Sequence, residues 1–138
     1  MTIQLDHFIV PSHDKLASAK LLADLLGVSW EHAEVGPFAQ VQVNDGLTLD
    51  FMDRTGPLPV HHYCFRVGQA EFDVILERIK AAGIDYRSLP SGPADLRVNT
   101  RLGGSNIYWN EPDGHTWEML TVSYARPVLK HDTGPQTL

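Results

Sequence analysis

The sequence predicts an α+β fold made of two similar modules, because one pattern of strand, helix and strand occurs twice. The first copy runs from Asp6-His7-Phe8-Ile9-Val10 to Gly27-Val28-Ser29-Trp30, and the second from His61-His62-Tyr63-Cys64-Phe65 to Gly83-Ile84-Asp85-Tyr86. The spacing from His7 to Gly27 is 20 residues and that from His62 to Gly83 is 21. An aromatic residue stands three positions after each glycine. Repetition of such a unit is typical of a chain built from duplicated modules.

The first module is predicted to contain one helix and four strands. Its first strand covers residues 3–10, and Pro11 is expected to end it. Ser12 or Asp14 can cap a helix that runs to residue 26 and stops at Gly27. The apolar face of this helix is predicted to consist of Leu16, Ala19, Leu22, Ala23 and Leu26. Further strands are expected at residues 29–35, 38–43 and 47–52.

The second module is predicted to repeat this order after a Pro- and Gly-rich connector. A strand covers residues 60–67, and a helix over 70–82 ends at Gly83 and buries Phe72, Ile75, Leu76 and Ile79. Residues 90–104 give no clear prediction, and residues 105–110 and 115–121 should form a hairpin. The predicted boundaries are a single domain over 1–125, with modules at 1–54 and 60–125, followed by an irregular tail at 126–138.

Composition restricts the class of protein. The chain has 138 residues, of which 43% are hydrophobic and 20% charged, as in ordinary globular proteins. The net charge of −6 argues against nucleic-acid and anionic-membrane partners. The single cysteine, Cys64, allows no intrachain disulfide, and no signal peptide or membrane span is evident. A cytoplasmic protein that acts on a small molecule is therefore expected.

Four predicted strands place a metal-ligand type of residue on the face opposite their large apolar side chains, because side chains alternate along a strand. These residues are His7, Asp50, His62 and Glu118. Two imidazoles with carboxylates suit a divalent transition metal that keeps open positions for water or substrate. Such an ion can polarise a carbonyl or lower the pKa of bound water.

Three segments resemble the vicinal-oxygen-chelate superfamily, which includes glyoxalase I, fosfomycin- and bleomycin-resistance proteins and extradiol dioxygenases. They are Leu5-Asp6-His7, residues 62–67 and residues 108–118, within a resemblance that covers residues 5–121. The resemblance implies two βαβββ modules that form a cupped mixed sheet, usually in a homodimer. It also implies Fe(II), Mn(II), Ni(II) or Zn(II) held by His7, His62 and Glu118. Asp50 stands at the place of the fourth ligand of glyoxalase I.

The resemblance leaves several reactions open. The first hypothesis is a glyoxalase-like lyase or isomerase whose small oxygen-rich substrate chelates the metal through vicinal oxygens, with Glu118 or Asp50 as the base. The second is an Fe(II) ring-cleaving dioxygenase, although residues 99–101 lack the histidine expected there. The third is a protein that binds a drug or metabolite without converting it. Ile9 replaces the catalytic threonine of fosfomycin thiol transferases.

Several candidate residues also have structural interpretations. Asp50 is either a metal ligand or a hydrogen-bonding group, and His61, which competes with His62, is interpreted as structural. Cys64 either lines the cavity or is a small buried hydrophobic residue. Arg66 and Arg101 either form surface pairs or bind an anionic group of the substrate. Local hydrogen bonding, rather than chemistry, is expected of the turn residue His115.

Overall fold

Each half of the chain has the same order of strands around one helix. The computed structural model describes residues 2–125 and divides into two compact units, one formed by the chain up to Val60 with Pro112–Gly114, the other by His61–Glu111 and the chain from His115. The first unit contains β1 (His7–Ser12), α1 (Lys15–Leu26), β2 (Trp30–His32), β3 (Ala39–Asn44) and β4 (Leu47–Asp53). The second contains β5 (His62–Arg66), α2 (Gln69–Ala81), β6 (Tyr86–Arg87), β7 (Asn106–Asn110) and β8 (Thr116–Leu120).

The two sheets have the same topology. The strand order is β1-β4-β3-β2 in the first unit and β5-β8-β7-β6 in the second. The outer pairs β1–β4 and β5–β8 are parallel, and the other neighbouring pairs are antiparallel. The predicted α+β fold of two βαβββ modules is therefore confirmed.

The core of the first unit lies between α1 and the strands β3 and β4. The Asp14 side chain caps α1 by accepting a hydrogen bond from the Ala17 amide, and Gly27 ends the helix with a φ of 74° that favours glycine. The buried residues of α1 are Ser18, Ala19, Leu22, Ala23 and Leu25. The prediction of Leu16 on the buried face is wrong, because that residue lies in the first turn of the helix and is 41% exposed.

The core of the second unit is aromatic. Its large fully buried apolar side chains are Trp109, Trp117, Phe72, Ile79, Ile107 and Met119. The ring of Trp117 stacks with those of Tyr63 and Phe65, at centroid distances of 4.6 and 5.7 Å. These contacts hold β5 and β8 together on the face opposite His62 and Glu118, as strand alternation requires.

Some element boundaries differ from the predictions, and sheet position explains one of these differences. The first strand begins at His7 rather than at residue 3 and includes Pro11, which pairs with Met52. Since β1 is an edge strand, a proline without an N–H group is tolerated there. In residues 90–104 the backbone forms one isolated bridge, between Asn99 and Asn106.

Two further predictions concern regions outside the sheets. Residues 126–138, predicted to form an irregular tail, lie outside the described residues. Over residues 2–125, neither helix has the length and apolar character that crossing a bilayer demands.

Candidate functional site

The second unit brings two of the predicted metal ligands into direct contact. His62 begins β5 and Glu118 lies on the parallel neighbour β8, where it pairs with Cys64. His62 Nε2 is 2.8 Å from Glu118 Oε1. The Glu118 side chain is completely buried, whereas 48% of the His62 side chain is exposed. An imidazole at the surface thus meets a carboxylate that solvent does not reach.

Two further side chains hold the Glu118 carboxylate. Asn106, on β7, donates a hydrogen bond from Nδ2 to Oε2. The Tyr124 hydroxyl lies 2.8 Å from Oε2 and 3.0 Å from Oε1, so its one proton can be donated to either oxygen. A buried carboxylate is costly unless donors of this kind compensate for lost water. The orientation of Glu118 is therefore fixed by a surrounding set of hydrogen bonds.

The tyrosines beside Glu118 remain neutral donors at ordinary pH. Tyr108 pairs with Glu118 in the β7–β8 ladder, and its hydroxyl is 3.4 Å from that of Tyr124. Burial is the largest cause that raises the pKa of both phenols, and the negative Glu118 carboxylate raises them further. Both groups therefore keep their protons available for hydrogen bonds.

A cavity opens over this pair within the second unit. Its volume is about 300 Å³, and its lining residues are His62, Cys64, Arg66, Glu118, Leu120, Ser123, Tyr124 and Ala125. The β5 residues among them alternate along the strand and so share one face. A cavity of this size at a polar pair is typical of a small-molecule site.

Cys64 lines the cavity between His62 and Arg66. It is exposed, so the prediction of a small buried hydrophobic residue is wrong. Although Cys64 is exposed to solvent, the protein atoms packed around it remove part of the water near the thiol; this desolvation is the largest cause that raises its pKa to about 12, and Glu118 contributes further. Cys64 is therefore a neutral thiol at ordinary pH, whereas metal binding requires a thiolate.

In the first unit, His7 has a carboxylate partner of its own. His7 Nδ1 lies 2.7 Å from Asp6 Oδ2, and the imidazole is largely exposed. The hydrogen bond to Asp6 is the largest cause that raises the pKa of His7; the negative charge of Asp50 contributes, and burial opposes the shift. An imidazole whose Nδ1 donates to a carboxylate presents Nε2 as an acceptor, the arrangement common for metal-binding histidines.

Asp50 occupies in the first unit the ladder position that Glu118 occupies in the second. Asp50 pairs with Ile9, two residues after His7, and Glu118 pairs with Cys64, two residues after His62. Asp50 is 5% exposed and accepts a 2.8 Å hydrogen bond from Gln40 Nε2. Both units therefore place a histidine and a carboxylate in one register on one sheet face. Ligation of a common ion by His7, His62, Glu118 and Asp50 stays a prediction.

Comparisons with solved structures identify the fold. The structure matches oxidase ChaP-H2 with 41% identity over 90% of this chain and 97% of the other, at a TM-score of 0.84. Oxidase ChaP-H1 matches with 42% identity over 91% and 100% of the two chains, at a TM-score of 0.83. The fosfomycin resistance protein FosX from Listeria monocytogenes shares the fold at 20% identity, covering 91% and 98%, with a TM-score of 0.66. The chain belongs to the vicinal-oxygen-chelate superfamily.

Lactoylglutathione lyase from Agrobacterium tumefaciens shares the fold as well. It matches with 17% identity over 86% of this chain and 92% of the other, at a TM-score of 0.63. No protein-family model and no curated protein sequence matches this chain. The identity of over 40% to two oxidases supports the prediction that this chain is an enzyme.

The donor set of this vicinal-oxygen-chelate chain fits a divalent metal. Two ligand atoms about 2.1 Å from one ion and at right angles to each other are about 3 Å apart, close to the 2.8 Å between His62 Nε2 and Glu118 Oε1. A bound cation would also compensate the buried charge of Glu118. Metal binding would require the imidazole nitrogen to give up the proton that it shares with the carboxylate.

The turn between β7 and β8 holds a second group of ligand-type residues. Atoms of Glu111, Asp113 and His115 lie within 4.8 Å of one another. Glu111 accepts a hydrogen bond from the His115 amide, and His115 Nδ1 accepts one from the His61 amide. The His115 amide thus makes the expected local hydrogen bond, whereas its imidazole bonds to His61, which is distant in the sequence. Because Glu111 Oε1 and His115 Nδ1 already accept hydrogen bonds, the pair of His62 and Glu118 beside the cavity is the better candidate for metal binding.

Sequence reasoning missed Asn106 and the hydrogen bond that Tyr124 makes to Glu118. Asn106 was predictable, because side chains alternate along β7. Asn106 therefore lies on the same face as Tyr108, which pairs with Glu118. Tyr124 follows the last strand, where no periodicity predicts the direction of a side chain. Its role emerges from the path of the chain after β8.

Proposed function

We propose that this protein is a metal-dependent oxidase of the vicinal-oxygen-chelate superfamily that acts on a small oxygen-rich molecule. The observation that carries the proposal is the 41–42% identity to two oxidases, over 97% and 100% of their lengths. The contact between His62 and Glu118 and the adjacent cavity supply a place for such chemistry.

The residues of the site would have two roles, metal binding and proton transfer. His62 and Glu118, with His7, would hold an ion such as Fe(II), and Asp50 is the candidate fourth ligand. When bound, such a metal supplies a Lewis acid and a route for electrons to dioxygen. Glu118 or Asp50 would accept a proton from a substrate hydroxyl.

Asn106 and Tyr124 would set the direction of the reacting carboxylate. Asn106 donates to Oε2 of Glu118 and the Tyr124 hydroxyl lies within hydrogen-bonding distance of both oxygens, so that the position of the carboxylate does not depend on the ligand. Preorganised groups of this kind lower the cost of reorganisation during reaction. The cavity would bring the vicinal oxygens of the substrate next to His62.

Metal analysis and oxygen uptake test the proposal together. Protein loaded anaerobically with Fe(II) is expected to bind one equivalent per chain and to consume oxygen with an ortho-dihydroxy aromatic compound. His62→Ala and Glu118→Ala should lose both properties. His32→Ala, a change of an exposed histidine on β2, is the matched control and should retain them. Undiminished metal content in the His62 and Glu118 variants would contradict the proposed site.

A glyoxalase-like lyase or isomerase is the second candidate, and the register of Asp50 favours it. That position supplies a second carboxylate equivalent to Glu118, as a site with four protein ligands requires. This reaction needs no oxygen. Anaerobic conversion of the adduct of methylglyoxal and glutathione by Ni(II)- or Zn(II)-loaded protein, without oxygen uptake in air, would favour this candidate over the oxidase.

The assembly and the partners also stay proposals. A homodimer is expected from the superfamily resemblance, and the acidic chain is expected to act on a small molecule rather than on nucleic acid or a membrane. Light scattering after size-exclusion chromatography should give twice the mass of one chain. A mass equal to one chain would contradict the dimer.

A further inference from the structure

The cavity over His62 and Glu118 is lined by one cationic side chain, that of Arg66, which is not among the proposed metal ligands. His62, Cys64 and Arg66 lie at alternate positions of β5 and line the same cavity. Along a strand, residues four positions apart are separated by roughly 13 Å between Cα atoms. The backbone of Arg66 therefore lies at the end of this strand face remote from that of His62.

Arg66 is exposed and makes no salt bridge to a carboxylate within residues 2–125. Its ladder partner on β8 is the apolar Leu120. The one carboxylate that lines the cavity, Glu118, already accepts hydrogen bonds from His62, Asn106 and Tyr124. Arg66 thus lines the cavity without a carboxylate partner of its own among residues 2–125.

The duplicated architecture does not require an arginine at this place. In the first unit the equivalent ladder position, four residues after His7, holds Pro11, which pairs with Met52 as Arg66 pairs with Leu120. Arg66 is therefore a feature of the second unit's cavity and not of the repeated framework. The chain has 17 acidic and 11 basic residues, so its composition does not by itself favour a positive group beside the cavity.

We propose that Arg66 binds a carboxylate group of the substrate, remote from the oxygens that react near His62. The inference rests on the proposed function, and it defines the substrate as an elongated organic acid with vicinal oxygens at one end. The planar guanidinium matches the two oxygens of a carboxylate and donates two parallel hydrogen bonds to them. Arg66 is a specificity-determining residue that discriminates acids from their neutral analogues.

A matched pair of probes tests this assignment. 3,4-Dihydroxycinnamate and its methyl ester share the vicinal oxygens and the overall shape, and only the acid carries a carboxylate. Calorimetric titration of Mn(II)-loaded protein under anaerobic conditions should show the acid binding more tightly by on the order of tenfold. Arg66→Ala should abolish this preference, and Arg66→Lys should retain part of it.

Arg101→Ala is the control, because this arginine lines another cavity, with Asp95 and Arg97. It should leave the ratio of acid to ester affinity unchanged. Equal affinities for the two probes in the unaltered protein, or a preference that survives in Arg66→Ala, would overturn the assignment. Metal content is measured separately, and the titrations are repeated on metal-free protein. Absence of metal binding then rejects the proposed function, whereas an acid-to-ester ratio of one rejects the role of Arg66.

Discussion

His62 Nε2 lies 2.8 Å from Glu118 Oε1, although the two residues are 56 positions apart in the chain. The parallel pairing of β5 with β8 produces this contact, since it places Glu118 opposite the second residue after His62. The buried carboxylate then depends on its neighbours for hydrogen bonds, and these neighbours can be altered one at a time.

Replacing Asn106 by aspartate should destabilise the metal-free protein more than replacing it by alanine. The aspartate would put a second carboxylate against buried Glu118, and like charges at such a distance raise the pKa of one of them. We expect the alanine variant to lose about 1–3 kcal/mol of unfolding free energy and the aspartate variant to lose more. Because the folded aspartate variant binds an extra proton, its deficit should shrink as the pH is lowered. Urea unfolding of both variants at several pH values measures this, and a pH-independent deficit would contradict it.

Tyr124→Phe should increase the thermal stabilisation that the protein gains from metal binding. The change removes the donor that lies within 3.0 Å of both Glu118 oxygens, at a cost of about 1–3 kcal/mol to the metal-free protein. A divalent ion would then compete with one donor fewer. The increase in melting temperature on adding Mn(II) should be larger for Tyr124→Phe than for the unaltered protein. Tyr86→Phe, in a buried tyrosine on β6, is the control, and an equal increase in all three proteins would refute the expectation.

Asp50→Ala distinguishes a ligand from a hydrogen-bonding group. If Asp50 is the fourth ligand, the variant should bind metal at least about tenfold more weakly. Gln40→Ala removes only the amide that donates to Asp50 and should have a smaller effect. Isothermal titration with Mn(II) gives both affinities. Equal affinities of Asp50→Ala and the unaltered protein would leave Asp50 with a structural role.

Ser88→Ala should change the acid stability of the loop after β6. The Ser88 hydroxyl is the largest cause that lowers the pKa of Asp95, and the backbone amides of Ser88 and Arg97 contribute. A carboxyl group whose folded-state pKa is lowered stabilises the fold above its unfolded pKa, near about 3.9. This stabilisation is lost as the pH falls through the folded-state pKa. NMR titration should therefore show a higher Asp95 pKa in Ser88→Ala, with a stability difference at pH 7 that vanishes in strong acid; an unchanged pKa would refute this.

The sequence was sufficient to predict the fold, because the duplicated pattern, strand alternation and the glycines that end both helices all point the same way. His62 and Glu118 were predictable as a pair, since each lies opposite large apolar neighbours on its strand. The Glu118 hydrogen bonds from Asn106 and Tyr124 depend on tertiary structure. Tyr124 in particular lies beyond β8, where its position is set by the course of the chain and not by strand alternation.

Edge position accounts for one inaccurate strand limit, the predicted end of the first strand at Pro11. An outer strand has hydrogen bonds on one side only, so Pro11 can continue β1 where a central strand would end. The packing of α1 on β3 determines which residues of the helix are buried. Leu25 is buried, whereas Leu26 is not fully buried. Periodicity alone does not resolve adjacent leucines at the edge of an apolar face.

The common register of β1–β4 and β5–β8 limits how such a chain can diverge. Insertion of one residue before Glu118 would turn that carboxylate toward the stacked rings of Tyr63 and Phe65 and expose Trp117 on the opposite side. Deletion ahead of Asp50 would have the same effect in the other half. These strands are therefore more sensitive to a change of length than connections such as residues 88–104, where an added residue shifts no strand register.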